Sequence, residues 1–157
     1  MLRTVVVLSA CALLTQATPA QPPAPAQQAT AAPPTRVFSS DAGMVLNFIK
    51  PDKTADFETV LGKVKEGLAK SEKAERKQQA TGWKVFKATE PGPNAAVIYV
   101  FIMDPVVKGA DYSVGNILVE AFGQAEGTTL YKTYSDAYGN PAIGALLHLT
   151  LVQDLGK

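Results

Sequence analysis

The stretch Ala95–Met103 constrains this chain more than any other. It carries Val97, Tyr99, Phe101 and Met103 on one parity and Ile98, Val100 and Ile102 on the other. A strand apolar on both parities belongs in a sheet interior, because an edge strand would leave one row in water. It is the second arm of a longer unit, GWKVFKATEPGPNAAVIYVFIMD, from Gly82 to Asp104. Trp83–Ala88 is the first arm. Pro91, Gly92, Pro93 and Asn94 between the arms mark an irregular turn, so the unit reads as a β-hairpin.

The flanks repeat one plan on either side of the hairpin. Met44–Lys50 (MVLNFIK) is a strand, stopped by Pro51 and Asp52. Thr54 is the expected N-cap of a helix, with Asp56 and Glu58 set favourably in its first turn. Phe57, Val60, Leu61, Val64 and Leu68 recur at helical spacing. The helix is expected to run on through the charged segment Lys70–Lys77 to about Gln79. After the hairpin, Asp111 or Ser113 caps a helix over Tyr112–Phe122, which breaks near Gly123. A second helical piece covers Ala125–Tyr138 and carries Leu130, Tyr131, Tyr134 and Tyr138 on one side. That tyrosine stripe reads as core with hydrated hydroxyl tips. Gly139-Asn140-Pro141 stops the helix, and Ile143–Val152 is the last strand.

The predicted fold is therefore α+β: a ferredoxin-like βαββαβ chain with a four-stranded antiparallel sheet in the order 4-1-3-2. Right-handed crossovers put both helices on one face. The first, third and fourth strands nevertheless carry apolar residues on both parities. The uncovered face would then be an apolar patch of a size that soluble monomers rarely expose. A homodimer joined through that open sheet face resolves the conflict.

The N-terminus reads differently. Arg3 precedes an apolar run from Thr4 to Leu14, and Thr18-Pro19-Ala20 gives a small-residue exit. Residues 1–20 are thus expected to be a signal peptide, which makes the protein exported, to a periplasm or to the medium. Leu8-Ser9-Ala10-Cys11 resembles the lipobox of bacterial lipoproteins, so a lipid anchor on Cys11 is the alternative, and a membrane contact is expected only through it. Residues 21–40, rich in Pro, Ala and Gln, read as a disordered tether, and 41–157 as the folded domain. Without Arg3 the 15 basic residues fall to 14, equal to the 14 acidic ones. That balance leaves no electrostatic footprint for nucleic acid. A domain without Cys11 also has no thiol for catalysis or for metal.

The first half resembles the dimeric α/β-barrel superfamily, which includes antibiotic-biosynthesis and haem-degrading monooxygenases. The likeness rests on MVLNFIKP, on Phe57-Glu58-Thr59-Val60-Leu61 opening the helix, on Gly82-Trp83-Lys84-Val85-Phe86-Lys87, and on Ala96 to Met103 followed by Asp104. It implies the barrel-like dimer. The haem-degrading branch uses an asparagine on the first strand, a tryptophan on the third and an iron-binding histidine on the second helix. Asn47 matches the first, but Trp83 lies on the second strand and no histidine occurs between Tyr112 and Tyr138. No cofactor is therefore expected.

The polar residues that interrupt the apolar strands are Asn47, His148 and Thr150, and the fourth strand beside the first would let them meet. With Tyr99 they form the candidate ligand-binding set, for a small apolar ligand. His148, the sole histidine, is the one candidate catalytic group. A buried Asn–His pair that only stabilises the sheet is the plainer reading. No carboxylate pair, Ser–His–Asp order or Gly-rich phosphate loop is present. The reading favoured is a non-enzymatic binding or structural homodimer. The alternatives are a cofactor-independent monooxygenase or isomerase acting in a barrel cavity, and a lipid-anchored envelope protein that contacts partner proteins.

Overall fold

The computed structural model describes residues 35–139 and 145–156. The leader, its Cys11, most of the tether and the start of the last strand lie outside them. The elements run β1 (Ala42–Ile49), α1 (Thr54–Lys70), α2 (Ala74–Gly82), β2 (Trp83–Pro91), β3 (Val97–Met103), α3 (Val114–Asp136) and β4 (Ala145–Leu149). The sheet order is β2-β3-β1-β4, all antiparallel. This is the α+β, ferredoxin-like plan with its helices on one face.

One parity of each central strand faces the helices. On β1 these residues are Gly43, Val45, Asn47 and Ile49; on β3 they include Tyr99, Phe101 and Met103, all buried. Phe57 of α1 is the hub. Its ring lies 4.8 Å from Tyr99, 5.2 Å from Tyr134 and 5.9 Å from Tyr138, centroid to centroid. Full burial of such a ring contributes about 2–3 kcal/mol.

Several local expectations shift. Thr54 is the first residue of α1 rather than its cap: a 3-10 turn, Pro51–Lys53, precedes it, and its hydroxyl donates to the Pro51 carbonyl. The charged segment does not extend α1. The chain turns extended at Ser71 and restarts as α2, which is polar nearly all round. Arg76 holds α2 in place, buried, donating to the Gln79 side chain (2.9 Å), to Glu120 of α3 (3.2 Å) and to the Asp111 carbonyl. A polar helix needs such anchors because it has little apolar area to bury. Ser113 caps α3, accepting from the Asn116 N–H.

The break near Gly123 is present. Its φ of 80° and ψ of 169° lie where a side chain is strongly disfavoured. Beyond the kink Gly127 packs so close that an added methyl would stand 2.5 Å from the Val119 Cα. The folded unit also begins earlier than expected. Val37 pairs with Asp111, and Phe38 is fully buried against Tyr112 and His148. Arg36–Ser40 belong to the domain, not to the tether.

Among the described residues, the opposite sheet face carries no helix. In register across it stand Met44 beside Ile102, Leu46 beside Val100, and Phe48 beside Ile98. Phe86 on β2 flanks Val100, and Leu147 on β4 flanks Met44. The β1 and β3 residues are only partly buried, and Phe86 is 54% exposed.

Candidate functional site

A cavity of about 430 Å³ opens between the N-terminal strand segment, the start of α3, its last turns and β4. Tyr134 and Tyr138 form its inner wall. Spaced four residues apart near the end of α3, they share one side of the chain. Asn47 stands behind them, because β1 aims its odd positions at the helices.

The three side chains form a directed chain of hydrogen bonds. The Asn47 amide nitrogen donates to the carbonyls of Tyr99 (3.0 Å) and Val45 (3.2 Å), which leaves Oδ1 as a pure acceptor. The Tyr138 hydroxyl donates to that oxygen at 2.8 Å. A hydroxyl has one proton, so the 2.5 Å contact between the two tyrosine oxygens is filled by the proton of Tyr134. The Tyr134 oxygen is left as an acceptor, and the positive charge of Arg36, on the same cavity, favours its ionised form. The tyrosine tips are therefore tied internally, not hydrated as the sequence pattern suggests.

Burial dominates the acidity of this pair. It pushes the Tyr134 hydroxyl up to about 12, against the pull of the Arg36 charge. Burial, reinforced by Tyr134, raises Tyr138 as well. Both stay protonated at neutral pH, so they serve as hydrogen-bond groups and not as bases.

The outer wall is set by Asp111. Its Oδ1 accepts the backbone N–H of Arg36 (2.9 Å) and that of Ser113 (2.8 Å), and its other oxygen accepts from the Asn116 side chain. Arg36 and Ser113 are thereby held side by side at the cavity. Val114, Tyr131 and Leu146 supply apolar wall.

The four residues singled out from sequence are dispersed. Asn47 does not line the cavity but stands behind it, fully buried and bonded to Tyr138. Tyr99 touches it only through its carbonyl: its hydroxyl donates to Glu58, which Lys87 also contacts (3.0 Å). These two bonds, Tyr99 first, hold Glu58 below its ordinary range. His148 faces Gly43 across the β1–β4 pair, four positions along from Asn47, and is exposed with its ring edge-on to Phe38 at 5.5 Å. Thr150 lies one residue past β4, exposed. The strand register therefore does not bring His148 and Thr150 to Asn47. Arg36 escaped notice, and Ser113 was read only as a helix cap. The available signal was Arg36 itself, the first charge after an uncharged tether and followed directly by Val37-Phe38.

Among the described residues no group of three His, Cys, Asp or Glu side chains could hold a metal ion, and no helix is long and apolar enough to cross a membrane. The chain matches no protein-family model, no curated protein and no solved structure.

Proposed function

We propose that this chain is an exported, non-catalytic binding domain that works as a homodimer, with two copies packing their open sheet faces together. The observation that carries this is the apolar row across four strands: Phe86, Ile98, Val100, Ile102, Met44, Leu46, Phe48 and Leu147. Four strands about 4.8 Å apart and about seven residues long give a flat footprint of roughly 450 Å². Side-chain relief brings that toward the about 800 Å² per partner of a standard interface. Lys84 is on the edge strand, at the rim, so a face-to-face pair buries no charge at its centre. The same assembly is what the resemblance to dimeric α/β-barrel proteins implies.

The non-catalytic half of the reading draws on the cavity. An oxygenase or isomerase acting without a cofactor needs a group that accepts a proton near neutral pH. Tyr134 and Tyr138, on the inner wall of this cavity, hold theirs.

Light scattering of the full-length chain over a dilution series tests the assembly. The expected result is twice the monomer mass for the wild type, and monomers for Val100→Glu at the centre of the face. Phe86→Lys, at a half-exposed position where folding is not at stake, is the second variant. A wild type that scatters as a monomer at all concentrations, or a dimer indifferent to both substitutions, overturns the proposal.

A further inference from the structure

We infer that the cavity beside α3 and β4 is a binding site for a small amphipathic monocarboxylate, with the carboxylate held by Arg36 and Ser113 and the apolar body lying against Val114, Tyr131 and Leu146. This rests on the binding half of the reading above and gives it a ligand class.

The argument starts from the hydrogen bonds already in place. Tyr134 has spent its proton on Tyr138, so it cannot donate to a ligand. Arg36 can. Its guanidinium carries five N–H donors, and no carboxylate among the described residues forms an ion pair with it. Arg36 lines the cavity together with Tyr134 and Ser113. Ser113 is buried; its hydroxyl accepts from the Asn116 N–H and makes no other hydrogen bond among the described residues. Its own proton is therefore available. Asp111 is the nearby negative charge, and the N–H groups of Arg36, Ser113 and Asn116 engage its two oxygens.

Charge count selects the ligand's head group. One arginine balances one negative charge, and its planar fork fits a carboxylate through two parallel bonds. A phosphate dianion would leave a charge unmatched in a pocket whose walls are largely side-chain carbon. The space, about 430 Å³, falls in the size range of small-ligand sites. That suits a medium-chain or aromatic acid.

Calorimetric titration of the full-length protein with octanoate, and with octanamide as its neutral isostere, tests the inference. The expected result is sub-millimolar binding of octanoate and a loss of about tenfold or more for octanamide, the factor a charge-assisted hydrogen bond supplies. Arg36→Gln should remove the difference between the two. Ser135→Trp, placed at the exposed rim of the cavity, should block both ligands, and it carries the test should Arg36→Gln fail to fold. Absence of octanoate binding overturns the inference. So does equal binding of the two ligands, or binding unaffected by Ser135→Trp. None of these outcomes changes the mass measured by light scattering, so failure of the ligand and failure of the dimer are separate results.

Discussion

Raising the pH should unfold this protein through two hydroxyls. Tyr134 ionises at about 12 in the fold and at about 10 in the unfolded chain. Its folded value is the higher one. The stabilisation is therefore complete below about pH 10 and is lost as pH climbs toward 12, because the unfolded state releases its proton first. By about pH 11 the loss from this one group is about 1.4 kcal/mol. Tyr138 is raised in the same direction by burial and by Tyr134, so the pair together should cost about 3 kcal/mol at that pH. The assay is urea unfolding at fixed protein concentration, from about pH 8 to about pH 11, for the wild type and for the double variant Tyr134→Phe/Tyr138→Phe. The variant starts lower, because Asn47 Oδ1 loses its donor, but its curve should be flatter by about 3 kcal/mol. Lysines and the remaining tyrosines contribute equally to both. Parallel curves would refute the reasoning and mean that the two hydroxyls titrate as freely as in water.

Three further outcomes are expected. Phe38→Ala should cost about 3–5 kcal/mol, and a chain trimmed to start at Asp41 should lose a comparable amount, both read by denaturant unfolding. Acid should weaken the α2–α3 junction. Burial favours the neutral form of Glu120, but hydrogen bonds from Lys73 and Arg76 outweigh it and hold the carboxyl below its ordinary value. The stabilisation is present above about pH 4.3 and disappears as pH falls through the lower folded value, so Glu120→Gln should flatten the acid limb of a thermal-melt series. Gly123→Ala should destabilise by about 1–3 kcal/mol although open space surrounds the position; an unchanged melting temperature would show that the kink relaxes.

The fold was legible because its signals are periodic. The doubly apolar β3 fixed the sheet interior, the Phe57–Leu68 spacing fixed the helical face, and the hairpin between Gly82 and Asp104 fixed the order. The interruption after α1 was not legible, since Ser71-Glu72-Lys73 is compatible with a helix. What breaks it there is tertiary: the Ser71 hydroxyl and the Lys73 amine both bind Glu120, far along the chain. The site was half legible. Asn47 stood out as a polar residue in an apolar strand. Its partners did not, because tyrosines on an apolar stripe look the same whether their hydroxyls meet water or one another. His148 drew attention as the sole histidine, but register decides neighbours, and register places it opposite Gly43. Arg36 was hidden by its address at the end of a Pro/Ala-rich run.

The central claim is that two copies share a core between their open sheet faces. Nuclear Overhauser effects between a ¹³C-labelled copy and an unlabelled one, mixed in equal amounts, test it most directly. The account calls for intermolecular contacts from the methyl groups of Leu46, Val100 and Ile102. Intermolecular contacts confined to other surfaces, or none at all from a molecule that diffuses as a monomer, would contradict it.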